Sequence, residues 1–508
     1  METFANLSLG FATAMQPDML LLCTVGVTLG MLVGVLPGIG AMAAISMALP
    51  ITFYMEPTAA LIMLAGIFYG AQYGGSTAAI LLNLPGTATS AVTCLDGYPM
   101  AKNGKAGVAL FITTISSFVG GCLGIVLLIG FAPALARFAL SFSSAEYFSI
   151  MLLGLIAAST LSVGSPLKGL AMVVVGVAIG LVGIDMNTGQ PRYMFGILEL
   201  AEGVNLLALG MGLFGVAEIL NNVGRAGSPL APGKITLRSL LPSRAEWKAS
   251  IMPTLRGSAV GSAIGTLPGT GPGIASFMAY AVEKRIARDP SRFGKGAIEG
   301  IASPEAANNG AVQAAFIPTL SLGIPGDAVI AILMGAMMIH GIVPGPQFIT
   351  NEPQMFWGLV ASFWIGNVIL LILNIPLIGV WVRILTIPYS VLYPAMLFFI
   401  CIGVYSMRNN PFDVYLTMLF GGIGYFMLRF DYPAAPLLLG FILGPLMEEH
   451  LKRALQISRG DLMTFIERPI SAVFVALSLV VIALTLMPLA RKSLRPNHEK
   501  PGTGGGDI

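Results

Sequence analysis

Gly34-Val-Leu-Pro-Gly-Ile-Gly40 returns 231 residues later as Gly265-Thr-Leu-Pro-Gly-Thr-Gly271, and the fold is read outward from this pair. The match extends upstream, because glycines at 26, 30, 34 and 38 recur at 257, 261, 265 and 269. Small residues at i, i+4 spacing let two helices approach closely in an apolar solvent, so these ladders are assigned to packing. Downstream, Gly70-Ala71 through Leu84-Pro85-Gly86-Thr87-Ala88 aligns with Gly310-Ala311 through Ile324-Pro325-Gly326-Asp327-Ala328 at an offset of 240. The nine extra residues fall between the two motifs, where the second copy has the polar stretch Glu283 to Lys295 and the first only Pro50 to Pro57. The chain therefore reads as two related halves.

Composition identifies the solvent. Of 508 residues, 56% are apolar and 10% charged, with a mean hydropathy of +0.84, which is membrane-protein composition. A bilayer core of roughly 30 Å takes about 20 apolar residues per helix. Leu20 to Pro37, Gly107 to Ala132, Tyr147 to Leu161, Leu167 to Val182 and Phe356 to Val382 suit that length. The expectation is an all-α polytopic membrane protein of two inverted repeats, with broken helices or re-entrant hairpins and about ten to fourteen spans. Residues 1–222 form the first repeat, 223–250 a basic connecting segment and 251–450 the second repeat. Residues 451–495 form a basic loop with a final transmembrane helix, and 496–508 a disordered tail.

Several function classes are disfavoured. Lys and Arg number 27 against 24 acids, a net charge of +3, which offers no basic field for nucleic acid. Cys23, Cys94, Cys122 and Cys401 form no Cys-x-x-Cys pair, and His340, His450 and His498 show no metal-ligand spacing, so no cofactor or metal is expected. The N-terminus lacks a basic n-region and the first cation is Lys102, so the first apolar segment is expected to stay, with the N-terminus away from the cytoplasm.

Loop charge gives the orientation of the two halves. Lys284, Arg285, Arg288, Arg292 and Lys295 make one loop of the second half basic, whereas its counterpart holds only Glu56. The next loops swap: Lys102 and Lys105 in the first half face Glu352 in the second. That alternation fits inverted topology. Arg225 to Lys248 and Lys452 to Arg468 do not swap, and Arg491, Lys492 and Arg495 follow one further apolar segment, so the C-terminal topology stays open. Asp185 with Arg192 and Arg429 with Asp431 read as charges reaching the interface.

The four Pro-Gly pairs, Pro37-Gly38, Pro85-Gly86, Pro268-Gly269 and Pro325-Gly326, carry the functional reading. Proline inside a helix removes a donor and frees backbone groups that lipid cannot satisfy. Such breaks, paired between two halves, mark a carrier's binding site, and half-helix N-termini favour an anionic ligand. The substrate-binding candidates are therefore Gly38, Gly40, Asn83, Gly86, Thr87, Thr89, Ser90, Gly269, Thr270, Asn308, Asn309, Ser321, Gly326 and Asp327. Glu305, Asn308 and Asp327 are the candidates for coupling to an ion, Na+ or H+, since an intramembrane acid is costly and needs a reason. The structural alternatives are a simple kink at each break, a helix cap at Asp327, and ordinary helix-start residues at Ser303 and Glu305.

GVLPGIG from Gly34, YGGSTAAILLNLPGTATSAVTCLDGYPMAKNGKAG from Tyr73, FGKGAIEGIASPEAANNGAVQAAFIPTLSLGIPGDA from Phe293 and HGIVPGPQF from His340 resemble the large membrane subunit of the tripartite tricarboxylate transporters, the TctA family. The likeness covers nearly the whole chain. It implies a multi-pass subunit of the bacterial inner membrane, working with a small four-helix membrane subunit (TctB-like) and a periplasmic substrate-binding protein (TctC-like). It also implies uptake of citrate-like or other organic anions driven by an ion gradient, and no enzymatic activity. The absence of a Gly-x-x-x-x-Gly-Lys-Ser/Thr phosphate loop agrees. Family motif positions fall on Gly34, Pro37, Gly38, Gly40, Asn83, Pro85, Gly86, Thr87, Glu305, Asn308, Asn309, Pro325 and Gly326, while Asp327 stands where relatives resemble Pro-Gly-Ser or Pro-Gly-Thr. The rival readings are a membrane-embedded enzyme or ion-pumping subunit using Asp327 and Glu305, and a passive anion channel.

Overall fold

The computed structural model describes residues 2–36, 40–161, 165–185, 189–222, 237–384 and 389–493. We number its principal helices α1 (Glu2–Ala14), α2 (Pro17–Val35), α3 (Gly40–Thr52), α4 (Pro57–Leu82), α5 (Ala91–Met100), α6 (Ala106–Ala139), α7 (Ser144–Leu161) and α8 (Pro166–Gly180). After the connecting segment come α9 (Arg244–Gly265), α10 (Gly271–Ile286), α11 (Glu299–Ala314), α12 (Phe316–Leu322), α13 (Ala328–Ile339), α14 (Pro353–Asn374), α15 (Pro411–Arg429), α16 (Ala434–Ile457) and α17 (Pro469–Ser493). The strands among the described residues are the two-residue pair Gly183–Ile184 and Pro191–Arg192. Pro17–Val35, Ala91–Ala139, Pro353–Asn374 and Pro411–Arg429 are long and apolar enough to cross a membrane. The protein is an all-α polytopic membrane protein.

The glycine ladders position everything else. A methyl added at Gly26, Gly30 or Gly34 would run into the carbonyls of Met63, Ile67 and Ala71 in turn, and the register stays constant, so α2 lies parallel to α4 in close backbone contact. Gly257, Gly261 and Gly265 meet Ser303, Ala307 and Ala311 in the same way, so α9 lies parallel to α11. The register is nine residues longer in the second half, which is the length of the inserted loop.

Helix ends follow local chemistry. Leu36 is extended (φ −82°, ψ 110°), as a residue before proline prefers, and α2 stops there. Asn83 closes α4 at φ 56° and Gly323 closes α12 at φ 71°, the two occupying one position of the 240-residue alignment. Gly269 and Gly271, at φ 78° and 65°, turn the chain between α9 and α10.

The pair α9 and α10 is a hairpin rather than a through-going span. Arg256, early in α9, forms a forked ion pair with Glu283, late in α10, with Nε–Oε1 at 2.7 Å and Nη2–Oε2 at 2.8 Å. The two arms thus run antiparallel from a tip at Pro268-Gly269. Gly358 lies beside both Thr13 and Thr58, which brings the start of α2 to the end of the segment that follows α3. Phe356–Val382 is likewise split, with α14 ending at Asn374 and a short helix following at Ile378–Ile384.

Three cations of the basic segment Lys452 to Arg468 are paired with acids. Arg192 and Lys452 both pair with Asp185 and Glu448, Arg453 pairs with Glu449, and Arg468 pairs with Glu146 at 2.6 Å. Asp185 and Arg192, read from sequence as interface charges, are therefore parts of an ion-pair cluster.

Candidate functional site

Three of the four breaks lie among the described residues; Pro37 and Gly38 lie outside them. Gly40, at φ 68°, has no heavy atom within 4 Å of where a Cβ would stand.

At the first-half break the chain folds back, so that Gly86 sits against the Gly34 carbonyl and within 2.8 Å, measured from a Cβ position, of the Gly75 Cα. Any side chain at Gly86 would push the break away from α2 and α4. Beyond it Thr89 donates to Gln72 Oε1 at 2.7 Å, and the Thr87 and Thr89 hydroxyls are 2.9 Å apart. Ser90 Oγ accepts the Thr87 amide at 3.2 Å and donates to the Thr87 carbonyl at 2.8 Å. Asn83 is an exposed helix terminus at the edge of this network.

The second-half break is built differently. Thr319 Oγ1 accepts the Gly326 amide at 3.2 Å, and Asp327 caps α13 by accepting the Ile330 amide at 2.7 Å. Capping does not isolate Asp327, because a Cβ on Gly271 would stand 3.2 Å from its Cβ and 3.9 Å from its Oδ2. Thr270 donates to the carbonyls of Ile264 and Leu267, closing α9 and leaving the first amides of α10 without a side-chain cap. Ser321 faces α6, where it donates to the Ala132 carbonyl at 3.0 Å, and takes no part in the break network.

The two halves meet here. The methyl of Thr89 is 3.9 Å from a Cβ position on Gly273, so the start of α5 lies beside the start of α10. Neither helix carries a side-chain cap bond at its first turn. Amides and positive dipole ends from both halves are available at one place.

Glu305 is six residues inside α11, which corrects its reading as a helix-start residue. It is 1% exposed, accepts a hydrogen bond from Thr93 Oγ1, and accepts one from Ser117 Oγ at 3.3 Å, tying α11 to α5 and α6. Asn309 donates to the Glu305 carbonyl at 3.1 Å. Asn308 is 1% exposed and neither its Oδ1 nor its Nδ2 has a partner among the described residues. Sequence reading passed over Gln72, Thr93 and Ser117; the one available signal was a polar side chain inside a stretch otherwise fit for lipid. A cavity of about 500 Å³ lies elsewhere, bordered by Phe53, Asn205, Met338, Arg408 and Phe441, and none of the described break residues lines it.

Broken helices paired between two halves, with their ends meeting inside an all-helical multi-pass fold, define the class of membrane carriers. The chain belongs to the tripartite tricarboxylate transporter TctA family, whose model matches residues 20–439. It is 51% identical over 500 residues, 98% of this chain and 99% of the relative, to an uncharacterised 52.8 kDa protein of the TAR-I ttuC' 3' region of Agrobacterium vitis. It is 55% identical over 218 residues, 43% of this chain and 90% of the relative, to an uncharacterised protein of the TAR-II ttuC' 3' region of the same organism. No solved structure matches.

Proposed function

We propose that this chain is the large membrane subunit of a binding-protein-dependent secondary transporter that imports organic carboxylates across the bacterial inner membrane, driven by a Na+ or H+ gradient. The observation that carries the reading is the meeting of the uncapped starts of α5 and α10 at Thr89 and Gly273, beside the hydroxyl and amide groups of Thr87, Ser90 and Gln72. Such groups suit a carboxylate. Glu305 and Asp327, buried and without an ion-pair partner among the described residues, suit a coupling cation or proton. Asn308 supplies a further unengaged amide.

An inverted arrangement of the halves is supported by where the loops gather. Lys105 pairs with Glu246 at 2.9 Å, and Gly296 packs against Met100, which brings the basic turn 101–105, the start of α9 and the basic loop 287–298 to one face. Glu56 lies close enough to His340 to act on it electrostatically, at the other face. The basic loops gathered at the first face are the pattern of a cytoplasmic face. A small TctB-like membrane subunit and a periplasmic TctC-like binding protein complete the proposed assembly.

The test is uptake of labelled mono-, di- and tricarboxylates into right-side-out vesicles containing all three components. Uptake is expected to require both the binding protein and an ion gradient, and to fall about tenfold or more in Thr87→Ala and Asn308→Ala, the equivalent of losing about 1.4 kcal/mol of binding or translocation energy. Asp327→Ser is expected to change the order of preference among the carboxylates. Uptake indifferent to the gradient would instead make the protein a channel, and unchanged kinetics in all three variants would remove the site from the breaks.

A further inference from the structure

Asp96 is a carboxylate with no exposed surface, seven residues along from Thr89, and the site described above does not use it. Its Oδ2 accepts the Tyr280 hydroxyl at 2.9 Å, and Tyr280 lies seven residues along from Gly273. The pairs Thr89 with Gly273 and Asp96 with Tyr280 therefore share one register. The helices α5 and α10 run side by side from the substrate seat toward the basic face, touching at both points, with two turns, or about 10 Å, between them.

The other oxygen of Asp96 holds the basic loop. Its Oδ1 accepts the amides of Gly294, Gly296 and Ala297 at 2.9, 2.8 and 2.8 Å. Gly294 and Gly296 have φ of 82° and 102°, left-handed conformations that turn the successive amides onto one acceptor. The Tyr280 ring packs edge-on against Phe293 at 5.4 Å, and Gly300 leaves no room for a Cβ beside Asp96 Oδ2. This loop contains the nine-residue insertion that the first half lacks.

The aligned positions among the described residues hold no counterpart. By the two alignment offsets the positions corresponding to Asp96 and Tyr280 are Ala336 and Leu49, both buried and apolar. The polar, exchangeable set of bonds therefore stands on one side only of these two aligned positions.

We propose that Asp96, Tyr280 and the loop 287–298 form the gate between the substrate seat and the basic face, and that substrate leaves between α5 and α10 when these bonds open. The proposal rests on the seat lying at the breaks. Beyond Asp96 the loop 287–298 carries Arg288, Arg292 and Lys295 with Asp289, a net positive charge suited to a departing carboxylate. Asp96 and Tyr280 are positioning residues, since neither touches the seat.

Ser276 reports on the gate. It is 1% exposed, and at three residues from Gly273 and four from Tyr280 it shares their stripe of α10 between the two contact points. In a background with Cys23, Cys94, Cys122 and Cys401 replaced, Ser276→Cys is labelled with a membrane-impermeant maleimide in inside-out vesicles. The parent is expected to react slowly. Tyr280→Phe, which removes one hydrogen bond and keeps the ring, and Asp96→Asn, which keeps an acceptor for the loop, are each expected to react about tenfold faster, as losing a hydrogen bond to a charged group predicts. Labelling at the parent rate in both variants overturns the gate, even if Thr87→Ala cuts uptake and the seat stands. Faster labelling that saturating carboxylate and binding protein enclosed in the vesicle lumen do not slow supports the gate and overturns the seat.

Discussion

A buried polar group without a hydrogen-bond partner costs about 1 to 3 kcal/mol, and Asn308 carries two such groups in one side chain. A protein retains that cost where something else is gained, commonly at a site of function. Replacing Asn308 with Leu, of similar size and without polar atoms, is accordingly expected to leave the thermal midpoint in detergent unchanged or raised while uptake is lost. A fall in both together would make Asn308 a packing residue. Glu305 shows the converse logic. Its carboxylate is served by Thr93 and Ser117 from two other helices, and no sequence spacing connects residues 93, 117 and 305.

In the hairpin formed by α9 and α10 one forked ion pair joins the two arms. Glu283 keeps 3% of its side chain exposed and depends on the Arg256 fork, whereas Arg256 keeps 42% exposed. Removing the arginine strands a buried carboxylate. Arg256→Ala is expected to destabilise the protein by about 2 to 3 kcal/mol, below the range for a fully buried pair because solvent reaches the arginine. The measurements are denaturant unfolding in detergent and protease cleavage within the hairpin; a shift no larger than that of Arg453→Ala, an exposed pair at α16, would show that the fork does not hold the hairpin. Of this element's boundaries the sequence marked Pro268-Gly269 at the end of α9, whereas its start, a capping box of Ser243 with Glu246, falls inside the stretch read as a basic connecting segment.

At the scale of the molecule the prediction concerns sidedness. Asn103, in the turn after α5, and Val343, in the loop after α13 and 80% exposed, stand on faces that the Lys105–Glu246 and Glu56–His340 neighbourhoods assign to opposite sides. In the cysteine-replaced background, Asn103→Cys is expected to react with an impermeant reagent from one side of the membrane only, and Val343→Cys from the other only. Reaction of both from the same side would exclude inverted halves. Of the cations between Lys452 and Arg468, Lys452, Arg453 and Arg468 are paired with acids.

The four Pro-Gly breaks, the two glycine ladders and the nine-residue insertion were legible in the sequence, because each acts on the backbone within a turn or two of itself. Proline removes its own donor and glycine sets its own closest approach, so periodicity and self-alignment suffice to find them. What only the tertiary structure decided is which residues stand together across the halves: Thr89 with Gly273, Asp96 with Tyr280 and three loop amides, Glu305 with Thr93 and Ser117. Those meetings depend on α2 packing parallel to α4 and α9 parallel to α11, and on the angles at which the hairpins enter. Ser321 illustrates the limit, since its place beside a break is a fact of sequence while its turn toward α6 is a fact of packing. Hydrogen bonds between residues some 190 to 210 positions apart are set by how helices lie against one another, and a single sequence does not encode that geometry in any local pattern.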